Sequence, residues 1–105
     1  MRVGPLKYTH TAVVVGNTST PLLAACTDRS RAYVLIQNVS SEKVDIKVGA
    51  AAVADEGIQI APASTGIVTA TGSFEMSEAK NNLSFDAING ITASGTKNVL
   101  VTVGS

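Results

Sequence analysis

The feature that most restricts this chain is a period-two alternation of Val, Ile, Leu and Thr that restarts after each cluster of Gly, Pro, Asn, Asp or Ser. Side chains two apart share a face of an extended strand, whereas a packed helix needs apolar positions three and four apart. Repeated from end to end with no break in composition, the pattern predicts an all-β chain of about seven to eight short strands. The strand segments fall at residues 6–15, 22–25, 32–39, 44–48, 57–60, 67–71 with an extension over 74–76, 83–87 and 99–103. Between the last two, Ile88 and Ile91–Thr92–Ala93 flank a turn at Asn89–Gly90. Residues 77–82 suit one helical turn, with Ser77 able to cap it and Asn81 able to end it, and are too short for a helix.

Segment 32–39 has the strongest core character. Ala32, Val34 and Ile36 oppose Tyr33, Leu35 and Gln37, so both faces are largely apolar, as in a strand packed between layers. Segment 44–48 puts Val44, Ile46 and Val48 on one face and Asp45 and Lys47 on the other, which predicts a half-exposed strand. The polar residues 40–43 between the two read as a hairpin turn. Short strands at regular spacing favour a single β-sandwich, with a jelly-roll-like barrel as the other closure. Gly4–Pro5 does not join a sheet easily, so residues 1–5 are expected to form an N-terminal arm and residues 6–105 one domain.

Composition narrows the functional classes. With 8 basic and 8 acidic side chains the net charge is zero, and no cluster of Lys and Arg is present to release counterions from a nucleic acid. Aromatic residues make up only 4% and Trp is absent, so the core has to be built from Val, Ile, Leu and Ala. A chain of 105 residues can bury such a core without staples. The lone Cys26 makes no internal bridge. No apolar run, Ala12 to Val15 included, is longer than five residues, far short of the roughly 20 of a membrane-crossing helix. The opening residues also lack the apolar stretch of a secretory signal, which leaves the chain expected to be soluble.

Groups able to carry chemistry are sparse. His10 lies in the middle of a strand pattern, and no neighbouring motif supplies an acid-base partner. Cys26 has Arg29 nearby, which could activate a thiol, but its setting reads as a small half-buried side chain beside a turn. Zinc needs about four Cys or His ligands, more than this chain has. Asp55 and Glu56 sit together in a loop but lack the spacing of a calcium loop. Gly49–Ala50–Ala51–Ala52 lacks the Lys and later glycines of a phosphate cradle. Three Asn-X-Ser sequons, at Asn17, Asn38 and Asn82, matter only in a secreted chain. Tyr8, Tyr33, Phe74 and Phe85 are a poor sugar-stacking platform, because strand alternation assigns Tyr33 and Phe85 to packing. The sequence therefore predicts no catalytic residue, no cofactor-binding residue and no metal ligand, and the chain is expected not to be an enzyme.

Residues 31–40, Arg-Ala-Tyr-Val-Leu-Ile-Gln-Asn-Val-Ser, followed by Val44-Asp45-Ile46-Lys47-Val48-Gly49, resemble a pattern of small tailed-bacteriophage virion proteins. Gly57-Ile58-Gln59-Ile60-Ala61-Pro62 resembles a glycine, aliphatic pair and proline-turn step of the same proteins. The stretch from Ala87 to Thr96, followed by Val99 to Val103, resembles their closing hairpin. Residues 1–30 lie outside the resemblance. It implies a non-enzymatic structural protein of the virion, assembled in the bacterial host cytoplasm. In first place this is a capsid decoration, or cement, β-sandwich on the outer head surface; a tail or head-tail accessory subunit is the alternative. The implied partners are the major capsid protein or other virion proteins and further copies of the chain as a homo-oligomer, with no nucleic acid and no membrane. The arm and segment 6–15 are the parts expected to reach a partner, the latter by adding to a sheet edge. A carbohydrate- or receptor-binding module, with Tyr8 and Phe74 on a shared concave face, is the reading from another class.

Overall fold

The computed structural model describes residues 7–63, 72–93 and 96–105. These residues contain eight strands and no helix: β1 (Tyr8–Val15), β2 (Thr20–Leu23), β3 (Tyr33–Asn38), β4 (Val44–Val48), β5 (Ile58–Ile60), β6 (Gly72–Ser77), β7 (Ile88–Thr92) and β8 (Lys97–Gly104). They form two four-stranded sheets, ordered β1-β8-β3-β6 and β2-β7-β4-β5. Every pairing is antiparallel. Apart from the β4–β5 hairpin, each strand is followed by one in the opposite sheet. This interleaved order is the eight-stranded jelly roll, one of the two closures the strand pattern left open.

The inner faces explain why this alternation folds this way. In the first sheet Val34 stands opposite Met76 on one side and Val103 on the other, and Ile36 opposite Phe74 and Val101. In the second, Val44, Ile46 and Ile60 meet Ile88 and Leu22 in one continuous cluster with Val15, Val34, Ile36, Met76, Val99 and Val101. Among the described residues all the buried apolar side chains are aliphatic or Met, and Phe74 packs only partly buried at the margin. The light core expected from the scarcity of aromatics is the one observed.

Several local expectations change. Segments 32–39 and 44–48 are not a hairpin: β3 and β4 lie in different sheets, and residues 39–43 carry the chain across the sandwich. Asn38 dictates that crossing. It is fully buried, its amide donates to Glu42 O at 2.7 Å and Ile60 O at 3.1 Å, and its carbonyl accepts from Ser40 N at 3.0 Å and Ser40 Oγ at 2.6 Å. Two donor and two acceptor positions are thereby all used.

Asn89–Gly90 is not a turn but the middle of β7. Gly90 lies between Thr20 and Ile46 in the sheet, and a Cβ there would stand 3.1 Å from Leu22 Cδ1, so the glycine makes room for packing. Asn89 donates to Ala50 O at 2.7 Å. Residues 83–87 are not a strand, because their main chain is committed elsewhere: Phe85 O accepts from Cys26 N, Ala87 O from Gly49 N, and Ser84 Oγ from Asp86 N. Asp45 is not half-exposed but buried, beneath the loop whose Asp55 N donates to its Oδ2 at 2.9 Å.

At residues 78–81 the chain makes one turn. Ser77 Oγ accepts from Lys80 N at 3.1 Å, and Asn81 has a left-handed φ of 59°, an arrangement Asn tolerates well. The expected arm at 1–5, the strand at 67–71 and the turn residues Ser94 and Gly95 lie outside the described residues. No helix among the described residues is long and apolar enough to cross a membrane.

Candidate interaction surface

The antiparallel register fixes what each sheet shows to the outside. On the β1-β8-β3-β6 sheet the outer positions are Tyr8, His10, Ala12 and Val14 of β1, Asn98, Leu100 and Thr102 of β8, Tyr33, Leu35 and Gln37 of β3, and Ser73 and Glu75 of β6. Glu75 is the only Asp, Glu, Lys or Arg among them. Tyr8 and Val14 are each 54% exposed and Leu100 39%, with the polar His10–Thr102 row between Tyr8 and the other two. A face with exposed apolar side chains and so little charge is a candidate contact surface.

Local bonds stiffen this face. The rings of Tyr8 and Tyr33 meet edge to face with centroids 5.9 Å apart. The Tyr33 hydroxyl donates to Glu75 Oε2 at 2.5 Å, and Lys80 pairs with the other oxygen of that carboxylate. The bond to Glu75, with lesser contributions from burial and the carboxylate's charge, pushes the Tyr33 phenol up to about 12. Lys80 and Tyr33 in turn hold the Glu75 carboxyl below its usual range. In the next row His10 Nδ1 and Thr102 Oγ1 are 3.0 Å apart.

The outer face of the β2-β7-β4-β5 sheet is different in kind. A loop covers Asp45 there, and Lys43 reaches both Asp55, at 2.5 Å, and Asp45, at 3.6 Å. The hydrogen bond from Lys43 lowers the Asp55 carboxyl and raises the ammonium itself. One oxygen of Asp45, Oδ1, is buried without a hydrogen-bond partner.

The residues weighed for chemistry are scattered. His10 is on the open sheet face, paired with a threonine. Cys26 lies in the β2–β3 loop, where its thiol donates to Asp28 Oδ1 at 3.2 Å. Arg29 lies over the Phe85 ring, 5.5 Å from its centroid. The Asp28 carboxyl is drawn down to about 2, first by the Ser30 hydroxyl at 2.8 Å and then by the Cys26 thiol. Asp55 is engaged by Lys43, and Glu56 stands in the adjoining turn with its N–H on Val53 O. Among the described residues no group of three or more metal-capable side chains comes together. Tyr8 and Phe74 are on opposite faces of one sheet, so they form no shared concave platform.

Sequence reasoning passed over Arg31. It is 3% exposed, and its guanidinium donates to Ala24 O at 2.6 Å, Ser84 O at 2.9 Å and Asp86 O at 3.1 Å, tying the β2–β3 loop to the segment before β7. An arginine at the end of a polar turn gives no local sign of burial; only tertiary structure brings those carbonyls together. No model of a known protein family matches the chain, and no curated protein sequence matches it.

Proposed function

We propose that this chain is a structural protein of a tailed-bacteriophage virion, in first place a capsid decoration or cement protein that binds the outer head surface and stabilises the shell. The observation that carries the reading is the strand order β1-β8-β3-β6 and β2-β7-β4-β5, the jelly roll that recurs in viral capsid domains. Lectins and cupins share that architecture, so the fold alone does not select a function. The character of the β1-β8-β3-β6 outer face narrows the choice, and the resemblance of residues 31–103 to small virion proteins points the same way.

A decoration subunit meets a repeating lattice, so modest contacts at each site are multiplied when neighbouring copies also touch. A neutral chain with a nearly uncharged sheet face suits such crowding, because like charges would repel at that density. In this reading the partners are the major capsid protein or another virion protein and further copies of the chain. It acts without catalytic, cofactor or metal residues and without nucleic acid or membrane. A tail or head-tail accessory subunit is the alternative within the same class.

The test is to add purified protein to undecorated heads and follow their survival on heating or chelation. Stoichiometric binding with raised resistance supports the proposal. Heads that neither bind the protein nor gain resistance refute it.

A further inference from the structure

Two open sheets have four edges, and unpaired edges invite pairing with another chain unless something blunts them. Three are blunted here. At β2, Pro21 interrupts the ladder and a bulge shifts the register between Pro21 and Leu23. At β5 the strand is only 3 residues long. At β6 the Asn82 side chain imitates a neighbouring strand, accepting from Ser77 N at 2.9 Å and donating to Glu75 O at 3.1 Å.

The fourth edge, β1, carries no such device. It runs 8 residues without proline, Lys, Arg, Asp, Glu or bulge, and its register with β8 is unbroken. Lys7 and Ser105 exchange both main-chain bonds, at 2.7 and 2.9 Å. Because close pairs alternate along an antiparallel ladder, Thr9, Thr11, Val13 and Val15 bond to β8 in the same way. The N–H and C=O groups of Tyr8, His10, Ala12 and Val14 therefore point away from β8. No partner for them is present among the described residues. All four side chains are also exposed.

We propose that β1 pairs antiparallel with β1 of a second copy of this chain, about a two-fold axis normal to the sheet and passing beside Thr11, joining two four-stranded sheets into one. The choice of occupant rests on self-complementarity. In this register Tyr8 faces the second copy's Val14, and His10 faces its Ala12. Each close pair exchanges two bonds, so all the outward groups are satisfied, by about eight bonds in total. The alternative register centred on Ala12 leaves Tyr8 unpaired.

The side chains agree with the register. Two exposed aromatic–β-branched pairs form on the outer face and a Thr–Thr pair forms on the axis, both favourable cross-strand combinations, and no like charges stand opposite one another. The contact is isologous and closed, so it gives a dimer rather than a fibre. The proposal specifies the self-association named above and rests on that reading only for its biological use. Its test needs no phage particle, so a failure here is distinguishable from a failure to bind heads.

Sedimentation velocity over a wide concentration range reads the result. Wild type is expected to be a dimer. Thr11→Lys and Thr11→Glu, at an exposed position, should each raise the dissociation constant by at least about tenfold, since like charges then face each other on the axis. Their mixture should recover the dimer. Ala12→Pro removes only an outward N–H and should give a folded monomer; if that variant fails to fold, the Thr11 pair decides. In a Cys26→Ser background, Thr11→Cys should form a disulfide dimer on oxidation, because that pair has Cα atoms about 4.5 Å apart. Leu100→Cys should not. A monomeric wild type, a trimer, or a dimer indifferent to Thr11→Lys overturns the proposal.

Discussion

Replacing Asn38 by Asp changes almost no volume and reverses one half of a fully used hydrogen-bond set. The amide nitrogen now donates to Glu42 O at 2.7 Å and Ile60 O at 3.1 Å; a carboxylate oxygen there would face two carbonyl oxygens. The site is fully buried, so water is not at hand to relieve the contact. Each acceptor left without its donor costs about 1–3 kcal/mol, and an uncompensated buried charge brings the expected total to about 3–5 kcal/mol. That is a large part of the 5–15 kcal/mol typical of a domain, and at about 4–8 °C per kcal/mol it corresponds to a fall in Tm of more than about 12 °C.

The sign with pH follows from the same geometry. Ionisation is opposed in the folded state, so the introduced carboxyl has a folded pKa above its unfolded value of about 3.9. The penalty is largest above the folded pKa and shrinks as pH falls toward the unfolded one, where both states are protonated. Urea unfolding of wild type and variant between pH 4 and pH 7 measures it. A variant within about 0.5 kcal/mol of wild type at pH 7, or a difference that does not shrink toward pH 4, refutes the role assigned to Asn38.

Other consequences can be checked separately. Arg31→Met keeps the length but loses three charge-assisted bonds, and should cost about 2–4 kcal/mol by denaturant unfolding, with Arg31→Lys recovering only part of the loss. Ultraviolet titration should find one tyrosine ionising at about 12, and Glu75→Gln should return it toward 10.0. Since the folded pKa of Tyr33 lies above the unfolded one, the stability tied to this bond is full below pH 10.0 and is lost as pH rises through about 12. Carboxyl NMR should place the Asp28 midpoint at about 2, and Ser30→Ala should move it up toward 3.8; its small contribution to stability is present above 3.8 and lost as pH falls through about 2.

What the sequence made legible is what depends on neighbours along the chain. Alternation located β1, β3, β4 and β8, because Val34, Ile36, Val99 and Val101 declare their inner face by spacing alone. Ser77 and Asn81 announced their turn through the chemistry of capping and of left-handed backbone. The errors arose where distant residues decide. Asn89–Gly90 has the composition of a hairpin turn, but Leu22 and the flanking strands use the missing side chain for packing. Residues 83–87 alternate like a strand, yet Arg31, Cys26 and Gly49 claim their carbonyls.

The polar stretch after β3 suggested a hairpin because the sequence does not reveal that the Asn38 side chain turns the chain toward the opposite sheet. The candidate surface was only half legible. The exposed strand near the N-terminus was expected to seek a partner, but its own pairing with β8, and therefore which main-chain groups remain free, emerges only from the register. Asn82 blunting the β6 edge has no signature in the sequence at all.

In the proposed role the chain is a structural unit whose exposed sheet and free strand edge serve assembly. Counting its copies in purified particles and mapping their position by immunogold electron microscopy tests that claim most directly. The expected result is label spread over the whole head surface, in numbers that track the capsid lattice. Label confined to one vertex would shift the assignment to the tail or head-tail alternative, and absence from purified particles would contradict it.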